Sequence, residues 1–299
     1  MNAPTNPKRN HHYVWKAYLN SWATDKRVWR LENNNIDLRR TKHVAFEKDF
    51  YKLEELTVKD FELLEWFISH GSPYAQRTNR DLLKGLMEPY KLFRKIPNPN
   101  LTITEFIKRY SYETLEDYHS TIENSFSPFL KRALNDDIDF FNGQDSIVFL
   151  NYLCTQLTRT KKFKENVIST IEKLHNADFS RIWSILIHMF ATNIGGSIYA
   201  ERKNRKLQLL KNSSSCLFVT SDAPVINLKS DGGKTPPTQV AMYYPISPTR
   251  ALYISEVDEC FDDINIKAAE AEQLNERIHK NAYAQTFAEK KSDLEKFIK

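Results

Sequence analysis

Glycine is scarce in this chain. Seven glycines occur in 299 residues, where average usage would supply about 21. They are Gly71, Gly85, Gly143, Gly195, Gly196, Gly232 and Gly233. No subset spells GxGxxG or GxxxxGK(S/T). Only glycine lets a backbone close tightly on a pyrophosphate. A Rossmann dehydrogenase, a P-loop NTPase and a protein kinase are therefore excluded. Any phosphate recognition has to come from side chains. Cysteine is also sparse: Cys154, Cys216 and Cys260 lie far apart and form no CxxC pair. That pattern argues against a disulfide framework and a CxxC zinc site, and for a reducing, cytoplasmic setting. HxxxH, HExxH and GxSxG are missing too, which removes the recognisable zinc sites and the α/β-hydrolase elbow. No apolar run approaches the roughly 18 residues of a membrane span. The start, MNAPTNPKRNHHY, has no apolar stretch of a secretory signal.

What is present is a core. Hydrophobic residues make up 41% and aromatics 12%, too many for a disordered chain. With no clear linker, the length reads as a flexible leader over residues 1–10 and one mixed domain over 11–299. The net charge of +5 is uneven. Residues 1–50 hold ten Lys/Arg and five Asp/Glu, and the remaining 249 residues balance at zero. A basic stretch beside His11, His12 and His43 is either a footprint for a polyanion or a solvated surface.

Patterning predicts α+β: a predominantly helical body with a small, mostly antiparallel sheet built from an N-terminal hairpin and C-terminal strands. His11–Trp22 reads as an extended start and a short helix. Arg27–Glu32, three asparagines and IDLRRT read as a hairpin, with 44–52 returning to it. The helical core spans about 56–211. Its first helix opens on a capping-box spacing at Thr57–Asp60. Further helices are expected at 77–91, 103–110, 112–135, 144–175, 179–191 and 197–211, with Ser127-Pro128 kinking or dividing one of them. Strands are expected within 215–255, at 215–220, 224–228, 240–244 and 250–255. A helix is expected over 262–298, on the stripe Ile266, Ala269, Leu274, Ile278 and Ala282.

Four groups carry candidate chemistry. His11 and His12 are adjacent, so one can face a site as base or metal ligand while the other packs. The competing reading is an exposed, inert pair. Gln156 and Arg159, three apart on a helix, project an amide and a guanidinium to one point, suited to a carboxylate or phosphate oxygen. A structural pair fits the same spacing. Asp222 stands at a strand's end before Pro224, placed to orient a histidine, hold a metal or act as base. An Asx-turn would use it equally well. Glu123 lies between apolar Ile122 and Phe126, at the border of the core or on a charged surface. His188, seven residues after Arg181 and preceded by an apolar run, is expected in the core, and Arg202–Lys206 as a solvated face.

Together these motifs resemble the bacterial family designated domain of unknown function 4238. Its members open on a segment like HHYVPQFYL, matched here by His11, His12, Tyr13, Val14, Tyr18 and Leu19. A Gln-x-x-Arg-Thr helix matches Gln156, Arg159 and Thr160. A Thr-Ser-Asp-Asn-Pro strand end matches Thr220, Ser221, Asp222 and Pro224, and a Pro-Leu-Ser-Pro strand matches Pro245–Pro248. Glu123 and Asn275 fall where the family places an acid and a helix asparagine. The resemblance spans about residues 10–290. Trp15 replaces the usual proline and Ala223 the usual asparagine. The resemblance implies that polar motifs from both ends and the middle form one convergent site. It also implies an accessory or effector setting, defence included.

The expectation is a nuclease-like hydrolase acting on a phosphodiester or nucleotide. His11 or His12 serves as base or ligand. Asp222 and Glu123 orient it or, with His12, hold a divalent metal ion. Gln156 and Arg159 stabilise phosphoryl charge. Nucleic acid or nucleotide is the expected partner, with a partner protein or a second copy also open and no membrane. The second reading is a binding or regulatory module whose polar cluster is structural or holds a small ligand.

Overall fold

Residues 7–175, 178–230 and 237–298 are described by a computed structural model. The N-terminal segment enters as a strand, Asn10–His12, which pairs antiparallel with Phe46–Lys48 so that His11 faces Glu47. Residues 46–48 therefore return to this first strand and not to the hairpin, as the patterning had suggested. Of the leader expected over 1–10, residues 1–6 lie outside the described residues. The rest is docked: the Lys8 N–H donates to Glu113 at 3.0 Å, and Arg9 pairs with Asp49.

The hairpin forms where expected, Arg27–Glu32 against Asn35–Arg40. Asn33 and Asn34 turn it with φ of 52° and 59°, the left-handed conformation that asparagine tolerates. One four-stranded sheet then joins both ends of the chain. Its order is Asn35–Arg40, Arg27–Glu32, Thr286–Ala288, Thr220–Ser221. A second sheet has five strands, in the order Asn265–Ile266, Arg205–Asn212, Arg250–Glu256, Met242–Ser247, Ile226–Asn227. Its neighbours run antiparallel except the first pair.

The helical body is Val58–Ser69, Pro73–Phe93, Leu101–Leu134, Ser146–Thr158, Lys161–His175 and Trp183–Ala200. The capping box at Thr57 and Asp60 is formed. Several boundaries differ from the patterning, each for a physical reason. Leu101–Leu134 runs unbroken through Pro128. Pro128 and Asn124, whose carbonyl loses its donor, both lie on the exposed side, where solvent replaces the bond. The stretch 144–175 divides at Arg159, and the Thr160 hydroxyl accepts the Phe163 N–H to open the next helix. Trp183–Ala200 passes straight through Gly195-Gly196. A Cβ on Gly195 would sit 3.5 Å from Cys154 Sγ and 3.6 Å from the Leu150 carbonyl, so this glycine lets two helices approach closely. Residues 205–212 are a sheet strand and not a helix end, because Leu207–Leu210 is a continuous buried run between two neighbouring strands. The C-terminal helix spans only Ala268–Asn281, and strand Thr286–Ala288 and short helix Ser292–Glu295 follow. The apolar stretch 215–220 contributes only Thr220–Ser221 as strand.

Candidate functional site

Helix Ser146–Thr158 is almost wholly buried, and its last turn presents Gln156 inward. The Gln156 Nε2 donates to the Tyr13 carbonyl at 2.9 Å. Its Oε1 accepts from the Trp15 N–H at 3.5 Å and from Arg159 Nη2 at 2.6 Å. One amide thus clamps the N-terminal segment to the helix. A proline at 15, usual in the resembling family, has no N–H to give. Trp15 supplies one and packs edge-on against Phe126 and Tyr152.

Arg159 is 1% exposed, and its Nη2 also meets Glu123 Oε1 at 2.8 Å. Burial raises the Glu123 carboxyl and Arg159 offsets part of that. The Tyr51 hydroxyl donates to the Arg159 carbonyl at 2.8 Å. Gln156, Arg159 and Glu123 therefore converge, but their strongest contacts are with each other and with main chain.

The two histidines separate cleanly. His11 Nδ1 accepts the Tyr51 N–H at 2.8 Å, and its Nε2 faces the Lys8 carbonyl at 3.2 Å. A carbonyl only accepts, so Nε2 carries the proton and both nitrogens are spent. His12 Nε2 faces the Lys42 carbonyl at 3.3 Å. By the same logic Nε2 is protonated and Nδ1 keeps its lone pair. Burial lowers both histidines, which keeps them neutral at pH 7.

Glu116 is the residue that sequence reading missed. It is half-buried, close to Arg159 and Glu123, and meets the main-chain N–H of His12. Burial, reinforced by Glu123, pushes its carboxyl up to about 7. Its Oε2 is buried without a partner. His119 stacks edge-on against Tyr51 and lies 4.9 Å from His188, ring to ring. Both are buried, as expected for His188, and burial holds His119 well below its usual value and His188 near 3. The signal was in the spacing: 116, 119 and 123 share one helical face.

Asp222 belongs to a different node. Its carboxylate accepts the N–H groups of Tyr283, Ala284 and Gln285 at 2.8, 2.9 and 3.0 Å. Burial raises the carboxyl to about 6 against the pull of those donors. Both oxygens are occupied, so Asp222 neither orients a histidine nor completes a metal site. Among the described residues no group of three or more His, Cys, Asp or Glu is placed to hold a metal ion. The proposed metal set His12, Glu123 and Asp222 is thus not assembled, because Asp222 is committed to a loop.

The other motif residues behave as Asp222 does. The Tyr18 hydroxyl donates to the Pro245 carbonyl at 2.7 Å and shares a hydrogen with Thr220 Oγ1 at 2.6 Å. Asn275 accepts from the Val219 N–H at 2.9 Å and donates to the Leu217 carbonyl at 2.7 Å. Ala223 is buried where the family has asparagine, and its N–H donates to Ser221 Oγ at 3.1 Å. Two pairs of motifs are joined through main chain: Gln156 to Tyr13, and Tyr18 to Pro245.

The family model described as Protein of unknown function (DUF4238) matches residues 10–292. No curated protein and no solved structure matches the chain. Among the described residues no helix is long and apolar enough to cross a membrane.

Proposed function

Because the chain belongs to the DUF4238 family over nearly its whole length, we propose that its interlocked motifs frame a hydrolase for a phosphodiester or nucleotide, with His12 and Glu116 as the acid–base pair. One observation carries this reading. Glu116, at about 7 and with an unpartnered oxygen, lies at the main-chain N–H of His12, whose own side chain keeps an Nδ1 lone pair uncommitted to the Lys42 contact. A group titrating near the working pH both gives and takes protons efficiently. In the proposed step, His12 Nδ1 takes the proton of a water whose oxygen attacks phosphorus. The bond to the leaving oxygen breaks, and protonated Glu116 supplies that oxygen's hydrogen. Exposed Lys16, close to His12 and Glu123, supplies positive charge beside them. Arg159 keeps Glu123 in place and does not itself reach the phosphoryl group. His11, Gln156 and Asp222 are positioning residues.

The experiment is hydrolysis of a labelled single-stranded RNA or DNA oligonucleotide, or a dinucleotide, by the purified chain. His12→Ala and Glu116→Gln are expected to abolish turnover while the chain stays folded at the assay temperature. Toxicity on expression, if the chain is an effector, falls with the same variants. Turnover that survives both variants sinks this reading.

A binding or regulatory module is favoured by one fact: Arg159 is 1% exposed and its Nη2 already meets Glu123 and Gln156. In that case no turnover exists for the same variants to lose.

A further inference from the structure

A second site lies away from this cluster, at the exposed end of one face of the four-stranded sheet, whose other end, at Leu31 and Ala288, is buried in the core. Arg27 and Arg40 are directly opposed in its antiparallel ladder, and Trp29 opposes Leu38 two residues on. Opposed residues, and residues two apart on a strand, share one face. The four side chains therefore form one patch, and they line a hollow of about 510 Å³.

Two features of the patch run against stability. Directly opposed like charges, with Cβ atoms about 5 Å apart, destabilise a ladder. Elsewhere in this hairpin the arginines are neutralised: Arg30 and Arg39 both bind Asp37. Among the described residues, Arg27 and Arg40 have no ion-pair or side-chain hydrogen-bond partner, and the Trp29 indole has no ring contact or hydrogen bond. Two exposed guanidinium groups are thus held side by side beside an unstacked, half-buried indole. Asp25 and Glu289 stand on the rim.

We infer that this hollow binds a nucleotide unit, a planar base joined to a phosphate. The base stacks on Trp29, as aromatic platforms do for any base. The phosphate bridges Arg27 and Arg40, whose forked donors match its oxygens. The anion relieves the repulsion that the empty ladder carries. Asp25 and Glu289, acceptors only, face the N–H groups of the base and the sugar hydroxyls. They would repel a bare polyanion, so the site selects a base with its phosphate and not charge alone. The unit comes either as a free mononucleotide or as one link of a single strand. The assignment deepens the hydrolase reading, on which its sense as a substrate or regulator site rests, but it uses neither His12 nor Glu116.

The test is binding, measured on the full chain. Two probes are used: GMP and AMP by calorimetry, and a fluorescently labelled single-stranded 12-mer by anisotropy. Trp29→Leu and the double variant Arg27→Gln/Arg40→Gln are each expected to weaken binding about tenfold or more. Removing the opposed charges should also leave the unfolding temperature equal or higher, so lost binding cannot be read as lost folding. Mononucleotide binding that both variants abolish marks a free-nucleotide site. Binding of the 12-mer alone marks a strand-docking site. Failure of both probes to bind, or binding unaffected by Trp29→Leu or by the double variant, overturns the assignment. Binding that obeys this pattern without any hydrolysis retains this site and sinks the hydrolase instead.

Discussion

Arg159 Nη2 and Glu123 Oε1 meet at 2.8 Å, with the guanidinium 1% and the carboxylate 15% exposed. The pair joins the long helix Leu101–Leu134 to the end of the buried helix Ser146–Thr158. Removing one member leaves a buried charge uncompensated, which costs about 3–5 kcal/mol. Glu123→Gln and Arg159→Met should each lose stability in that range in urea unfolding. The double variant Glu123→Gln/Arg159→Met should lose less than the sum, with a coupling of about 1 kcal/mol or more. Additive losses would mean that the pair contributes no mutual stabilisation.

Glu116 gives the chain a pH signature. Its folded-state value of about 7 lies above the ordinary 4.5. The folded state therefore favours the protonated acid. The associated stability is fully present below about pH 4.5 and is lost as the pH rises through 7. At about 1.4 kcal/mol per pH unit, the loss is on the order of 3 kcal/mol. Glu116→Gln should flatten the decline in stability between pH 5 and pH 8 and make the chain more stable than wild type at pH 8. A wild-type profile that stays level across this window would remove Glu116 as a titrating group.

His11 and His12 are neighbours with opposite uses, and substitution should separate them. His11→Ala leaves the buried Tyr51 N–H without its acceptor and removes the ring that stacks on Tyr51. A loss of about 1–3 kcal/mol follows. His12→Ala, at a half-buried position, should cost under about 1 kcal/mol and appear in turnover. Equal effects of the two on stability would contradict the assignment of the structural role to His11.

The sequence carried much of the fold. Long periodic stretches became helices, and two of the three asparagines, Asn33 and Asn34, turned the hairpin. The errors arose where tertiary packing overrode a local signal. Gly195-Gly196 marks helix contact and not a break. Pro128 is absorbed on a solvent-facing side. Residues 205–212 and 286–288 became strands only because distant strands stood ready to pair with them. The site was partly legible. Motifs such as Gln156-x-x-Arg159 and Asp222 were visible, but their partners are the main-chain groups of Tyr13, Trp15 and Tyr283–Gln285. Residue type does not encode which backbone N–H or carbonyl arrives at a side chain. Motifs that look like shared chemistry can therefore be shared architecture, and the titrating group, Glu116, lay in a charged helix that no motif covered.

Asp222 provides the sharpest check of that distinction. Its carboxylate gathers three successive N–H groups from residues 283–285, while its own N–H donates to the Gln285 carbonyl at 2.9 Å. The Gln285 side chain then accepts the Ala45 N–H at 3.0 Å and donates to Glu32 at 2.7 Å. One carboxylate thus fixes the entry to strand Thr286–Ala288, the strand that ties the N-terminal hairpin to Thr220–Ser221. Asp222→Ala leaves up to three donors unmet at about 1 kcal/mol or more each, so a total loss of about 3 kcal/mol is expected. Asp222→Asn keeps one acceptor oxygen and should fall between Asp222→Ala and wild type. Hydrogen exchange at the amides of 283–285 should accelerate in the same order. A catalytic Asp222 would give the reverse: unchanged or increased stability, unchanged exchange, and loss confined to activity.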